Sequence, residues 1–500
     1  MLRLYMLDAN QLWLDETHSI FIAGNSLHEV VAHLSKDGHP PLYFSLLLAW
    51  KTIFGESEFS VRLLSVLFGA ASMVAIFFLG SILFSRHVGL VAMFTAAIAP
   101  LQVYYSQEAK MYILLAFFSA TTASFLWLAL TRDRKRYWWG YVLSAGCLVY
   151  THILGWFSLS AGNLFVLLDR KRQNVFTKLL CYQAVVVLLF TPWIPILPKQ
   201  INQAGQWMQS WWKATPPSLA ILKTLECFGA GGNYPAYLRF FHVSPLRFVS
   251  CAVFGFFIVV ALYRKWPFQF SGERMADGTA GKDSDESSRS NDEALSSKGF
   301  VLLSLFVPLA IPYALSFFRP LYLVGRNDVA AYPFYAVLVA VGITKLRRFA
   351  WAGLAAVCVL SSYSLYKYYS IPTPSFEKET VQYLSQNCQE GDIVVVMGLR
   401  LCPVEYYMRR GNVKLQVIPY PSSVREHPGW LDYRPTPAEW AQDAQKLTAL
   451  ALEKTRQVRL VWLLTYPMEP IDQPLFDRFD HDLRFVGMNP NLRVVCFARR

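Results

Sequence analysis

The sequence predicts a polytopic α-helical membrane protein with juxtamembrane helices on its outer face and a small C-terminal α/β domain. Three observations predict it. Hydrophobic residues make up 54% of the 500 residues and charged residues only 16%, against roughly 25% charged in an average soluble domain. Apolar stretches near bilayer length recur between residues 61 and 368. From residue 370 the composition turns soluble. Mean hydropathy is +0.29. An ordinary soluble enzyme, a disordered chain and a small disulfide scaffold are excluded.

Ten segments qualify as spans, a few of them short: 61–84, 87–103, 111–131, 137–151, 154–168, 176–197, 246–263, 299–317, 329–346 and 349–368. With strict alternation their connections fall into two groups. One group holds Arg86, then Arg132, Arg134, Lys135 and Arg136, then Arg170, Lys171 and Arg172, then Arg264 and Lys265, then Lys345, Arg347 and Arg348. All five clusters are basic, which marks the cytoplasmic side. The other group comprises 104–110, 152–153, 199–245, 319–328 and everything after 369, and faces the periplasm or exterior. A multi-pass protein of the cell (inner) membrane is expected. The net charge of +13 sits in short inter-helix loops, so it does not point to nucleic acid.

The same bookkeeping assigns 40–54. If this stretch of 15 residues spanned, every later basic cluster would face outward; it reads instead as a helix on the outer membrane surface. Residues 26–36 read as a second such helix. Ser26 and Glu29 form a capping box, and Leu27, Val30, Val31 and Leu34 fall on one apolar stripe. Residues 1–14 are too short and polar to span: either the true start lies upstream, or they are the stub of a lost first helix; no n-region or cleavage site is present, so no signal peptide is expected. The expected organisation is a membrane domain over 1–369, with a first outer loop at 15–58 and a flexible cytoplasmic loop at 272–298. An extracytoplasmic domain follows over 370–500, where helical runs at 376–386, 436–455 and 472–480 alternate with strand-like IVVVMG, VRLVWLLTY, LRFVGM and RVVCFA. No GxGxxG or P-loop accompanies it. The eight cysteines are scattered without CxxC, and no metal or other cofactor is expected.

Candidate chemistry gathers in the outward loops. Asp15 and Glu16, in WLDETHS, stand at an apolar boundary, where desolvation raises a carboxylate's proton affinity and suits it to general-base work; a solvated pair or a helix cap is the alternative. In DGHPPLYF, Pro40 and Pro41 fix an extended entry to the surface helix, beside Asp37 and His39, which either cap that turn or meet substrate. In YYSQEAKMY, Glu108 and Lys110 accompany Tyr104, Tyr105 and Tyr112. The tyrosines fit an interface belt; the Glu is a second acid, an acceptor-binding group, or a partner of Lys110 or Arg62. Arg62 and Arg326, like Arg319, stand on the outward side against the positive-inside trend. They either snorkel or hold an anion such as a lipid phosphate, which suits the guanidinium fork. His152, at a tight turn, is a satisfied interfacial group or a pocket residue. Together these describe one place at the outer leaflet equipped for transfer from a lipid phosphate. There a base takes the acceptor proton and cations stabilise the departing phosphate. Phosphate leaves well, so one base suffices for a single inverting displacement.

The ordered motifs WLDE, DGHPPLYF, IFGESEFSVRLLSVLFG, YYSQEAKMYIL and YTHILGWF resemble those of the bacterial branch of the dolichyl-phosphate-mannose protein mannosyltransferase (family 39-like) group. These are GT-C membrane glycosyltransferases, in the same superfamily as the aminoarabinose transferases of lipid A. The resemblance covers roughly 1–350. It implies a polyprenyl-phosphate-linked sugar donor and a protein, lipid or glycan acceptor on the outer face. Asp15 inherits the family's catalytic base, with Glu16 and Glu108 as its acidic companions. Arg62, Arg326 and Lys110 fall to donor phosphate. Two departures stand out: the family's first transmembrane helix has no counterpart here, and Lys110 stands where many relatives carry Arg.

A transporter or flippase of lipid-linked sugars would place ionisable residues at mid-span or break helices in paired halves. The spans are nearly free of such residues, which favours interfacial chemistry. A non-catalytic relative acting through 370–500 is the third reading.

Overall fold

The computed structural model describes residues 1–200, 219–230, 246–263, 283–370, 376–425, 436–454, 457–461 and 472–499. The chain divides into two compact units. One comprises Met1–Leu7, Gly38–Leu46 and Ser60–Ile371; the other comprises Asp8–Asp37, Leu47–Phe59 and Pro372–Arg500.

In the order of the chain the helices begin with α1 (Leu14–Ala23), α2 (Leu27–Leu34), α3 (Leu42–Phe54) and α4 (Glu58–Leu83). There follow α5 (Arg86–Ile98), α6 (Pro100–Ser106), α7 (Tyr112–Arg132), α8 (Lys135–Thr151), α9 (Gly155–Leu168) and α10 (Phe176–Phe190). After them come α11 (Ala220–Ala230), α12 (Leu246–Leu262), α13 (Asp283–Leu315), α14 (Tyr332–Lys345) and α15 (Ala350–Ser370).

All ten expected spans are helical. Among the described residues five helical stretches are long and apolar enough to cross a membrane: 58–83, 112–132, 173–200, 296–315 and 347–370. A sixth is the bent pair α5 and α6, which turn 65° from each other. The bend follows from Pro100, which lacks an N–H and forces Ala99 into an extended conformation (φ −67°, ψ 123°). Helices α8, α9, α12 and α14, of 17, 14, 17 and 14 residues, are shorter. Leu67, Val74, Phe78, Leu143, Leu188, Val259 and Val359 are exposed on the helices of this bundle, as lipid-facing side chains of a multi-pass membrane protein are. Helix α14 lies at its centre, buried at every position from Tyr332 to Ile343. Gly342 permits this: a Cβ there would fall 2.0 Å from the Phe257 carbonyl oxygen of α12.

Two expectations change. Residues 283–298, read from composition as part of a flexible loop, are helical and run into the apolar part of α13. A stretch without Gly or Pro can propagate an existing helix at low cost; residues 272–282 lie outside the described residues. The stripe on α2 is half buried: Val30 and Leu34 are covered while Leu27 and Val31 are exposed. Its cap is present, Ser26 Oγ accepting from Glu29 N–H at 3.2 Å, and the Glu29 carboxylate accepts from Asn25 N–H.

The second unit holds α16 (Glu377–Asn387), α17 (Leu401–Arg410), α18 (Pro437–Lys454) and α19 (Gln473–Asp482). Its strands are β1 (Ile393–Met397), β2 (Gln416–Tyr420), β3 (Gln457–Val461), β4 (Leu483–Asn489) and β5 (Val494–Arg499). They form one sheet in the order β2-β1-β3-β5-β4. The β1 pairings are parallel and the β5 pairings antiparallel. The core packs Ile393, Val395, Met397, Leu447, Leu475 and Phe479. Segments 8–37 and 47–59 belong to this unit. Arg409 holds the Glu56 carboxylate with two bonds of 3.0 and 3.1 Å, Tyr406 donates to the Glu56 carbonyl, and the Tyr407 hydroxyl accepts from Leu12 N–H at 2.8 Å.

Candidate active site

A buried polar cluster forms in the membrane unit where the loop after α6, the turn between α8 and α9, and the loop before α14 converge. Tyr105, Glu108, Lys110, Tyr112, His152, Arg326 and Asp328 are all buried there. The Tyr105 hydroxyl donates to the Gly325 carbonyl, tying α6 to the late loop. The Tyr105 and Tyr112 rings lie 4.8 Å apart. The Arg326 guanidinium sits 5.3 Å from the Tyr112 ring centroid, an attractive cation–π geometry. The His39 and His152 rings lie 5.6 Å apart, tilted 53° to each other, and Gln200 donates to the His39 carbonyl.

His152 follows α8 in extended conformation. Its Nδ1 accepts from Leu154 N–H at 3.2 Å, so the neutral ring carries its proton on Nε2. Burial first, then the charge of Arg326, push its pKa down to about 4. Asp328, by contrast, is pushed up to about 7 by burial, despite hydrogen bonds from Thr224 and Gly325 that oppose the shift. The cluster therefore holds a neutral imidazole near a fixed guanidinium.

Arg62, in the first turns of α4, is buried and donates to the Leu7 carbonyl at 2.8 Å. The Lys110 amide donates to the Glu108 carbonyl, which draws the 108–110 backbone into a tight turn.

Asp15 and Glu16 belong to the other unit. Both lie in the first turn of α1, where carboxylates are favoured by the helix dipole. They differ in environment. Glu16 is 1% exposed and its carboxylate accepts from Trp13 N–H at 3.4 Å; Asp15 is half-buried. One turn on, His18 Nε2 approaches Asp37 Oδ2 at 3.5 Å, both groups buried.

Of the residues expected from sequence, Tyr105, Glu108, Lys110, Tyr112, His152 and Arg326 fall in this one cluster, with His39 beside His152. Asp328 and His18 were not foreseen as site residues. Asp328 had a signal: an acid two residues after an out-of-place Arg. Among the described residues no three His, Cys, Asp or Glu side chains gather as a metal site.

The architecture is that of a polytopic GT-C membrane protein. Residues 38–197 match the profile of the dolichyl-phosphate-mannose-protein mannosyltransferase family, a narrower stretch than the 1–350 over which the motifs were read. The fold is similar to that of ArnT from Cupriavidus metallidurans. The apo form matches at TM-score 0.58 and 12% identity, covering 99% of this chain and 95% of that one. The form bound to undecaprenyl phosphate matches at 0.60 and 12%, covering 99% and 96%. The apo oligosaccharyltransferase of Archaeoglobus fulgidus matches at 0.51 and 12%, covering 99% and 72%. Among curated proteins none is similar enough in sequence to match. The chain thus has the GT-C membrane fold of these proteins, and its residues 38–197 are similar to the mannosyltransferase family.

Proposed function

We propose that the protein transfers a sugar, hexosyl or pentosyl, from a polyprenyl-phosphate donor to an acceptor hydroxyl at the outer face of the membrane. The acceptor is a protein, a lipid or a glycan. Transfer is a single inverting displacement, with Asp15 taking the acceptor proton. Arg62, Arg326 and Lys110 bind the donor phosphate. Glu16 and Glu108 are the acidic companions, and His39, Tyr105, Tyr112 and His152 line the substrate pocket. Residues 370–500 form the extracytoplasmic domain of a protein of the inner membrane.

The observation that carries this reading is the buried Arg326, braced on Tyr112. A planar guanidinium fork suits the oxygens of a phosphate, and a fold relative is known with undecaprenyl phosphate bound. Between the two acids, the half-buried Asp15 is the better base, because Glu16 is covered and turned to Trp13 N–H. His152, neutral through the physiological range, supplies a hydrogen bond to a sugar without adding charge.

The test is sugar transfer from undecaprenyl-phosphate-linked donors in membranes holding the full chain. Asp15→Ala should lower the rate by about 10²–10⁴-fold, the range for removing a general base, while undecaprenyl phosphate binding survives. Unchanged transfer would remove Asp15 from the mechanism; transport of lipid-linked sugar without transfer would favour the flippase reading.

A further inference from the structure

The loop before α14 is held in an unusual way. Asp328 is 2% exposed and stands at the N-cap of a short 3-10 turn, Val329–Ala331, yet its side chain makes no capping bond to that turn. It points back along the chain instead. Oδ2 accepts from Gly325 N–H at 2.8 Å and from the Thr224 hydroxyl of α11. Thr224 and Tyr322 hydroxyls are 2.6 Å apart. A hydroxyl has one proton to give, so the chain runs Tyr322 to Thr224 to Asp328. The other side of Gly325 is fixed too, its carbonyl accepting from Tyr105. Gly325 itself has φ +73°, a conformation that favours glycine. Arg326, the next residue, is thus presented by a peptide clamped on both faces.

We propose that Asp328 is the positioning residue of this loop: by clasping Gly325 it sets the Arg326 guanidinium over Tyr112, in the place where it meets a phosphate-bearing lipid. The inference rests on the phosphate role given to Arg326 above. Asp328 touches no substrate in this account and acts through its neighbour. A plain capping role is excluded by the direction of its bonds.

The experiment measures binding of undecaprenyl phosphate to the detergent-solubilised full chain by tryptophan fluorescence. Arg326→Ala should weaken binding about tenfold, Asp328→Ala about five- to tenfold, and the double variant no more than Arg326→Ala alone, because the two act as one unit. Asp328→Asn keeps an acceptor for Gly325 N–H and should recover most of the loss. Thr224→Val leaves the carboxylate in place but removes one of its donors; it should weaken binding about threefold and also fail to add to Arg326→Ala. If Arg326→Ala weakens binding but Asp328→Ala binds as wild type, or if the losses add, the positioning role is overturned while the donor-phosphate reading stands. If Arg326→Ala itself changes nothing, that reading fails and takes this inference with it. Should Asp328→Ala not fold, wild-type binding by Thr224→Val overturns the proposal.

Discussion

The Arg326 guanidinium carbon lies 5.3 Å from the centroid of the Tyr112 ring, so a cation from the loop before α14 rests on the first residue of α7. The ring face, not the hydroxyl, attracts the cation. Tyr112→Phe should therefore bind undecaprenyl phosphate within about twofold of wild type, while Tyr112→Ala should lose about five- to twentyfold, matching 1–2 kcal/mol for a desolvated cation–π pair. Equal losses for both variants would show that the hydroxyl, not the ring, matters.

Packing at the centre of the bundle gives a prediction independent of chemistry. A Cβ at Gly342 would stand 2.0 Å from the Phe257 carbonyl oxygen, whereas one at Gly255, on the same helix α12 as Phe257, would meet nothing within 4 Å. Gly342→Ala must push α14 and α12 apart and should cost about 1–3 kcal/mol or more, read as a lower thermal midpoint in detergent. Gly255→Ala should leave the midpoint unchanged or raise it slightly, since Ala is the better helix former.

In the other unit, the Tyr407 hydroxyl accepts the Leu12 amide proton in a buried contact and so anchors the segment that enters α1 and carries Asp15. Tyr407→Phe leaves that N–H without its acceptor, at a cost of about 1–3 kcal/mol. Faster hydrogen exchange at Leu12, with the Ile393–Met397 strand still protected, is the expected result.

These contacts also show what could be read beforehand and what could not. The spans were legible because bilayer thickness imposes apolar length on the chain, one segment at a time. The break at Ala99–Pro100 divides the expected 87–103 span; Pro100 was visible, but the apolar run around it reads as one continuous span, and the size of the turn, 65°, is not written in its length. Strands β1, β3, β4 and β5 announced themselves by short apolar runs rich in Val, Ile and Phe. Strand β2, QVIPY, did not, because Pro419 argues against a strand; it is tolerated because β2 is an edge. Arg62 and Arg326 stood out as charges on the wrong side. The partners of Asp328 and His18 did not, for Thr224 lies 104 residues from Asp328 and Asp37 meets His18 only after α1 and α2 fold back. A hydrogen bond across such separations leaves no local pattern.

Two buried groups of the cluster pull stability in opposite directions with pH. Asp328 has its pKa raised from 3.8 to about 7. The folded state thus keeps a proton the unfolded chain releases, and stability present below pH 3.8 is lost as pH rises to about 7. His152 has its pKa lowered from 6.5 to about 4. The unfolded chain takes a proton the folded state refuses, so stability present above pH 6.5 is lost as pH falls to about 4. The full spans are on the order of 4 and 3 kcal/mol. Between pH 4 and 6.5 the slopes oppose, and each variant should unmask the other. Asp328→Asn should leave a thermal midpoint that drops on acidification through this window; His152→Asn should leave one that drops on alkalinisation. Arg326→Gln, by removing the charge that helps hold His152 neutral, should raise the His152 pKa toward its ordinary value and so shorten the acid limb, which loses less stability and ends at a higher pH. A midpoint whose pH dependence is the same in all three variants would show that neither group titrates as its burial requires.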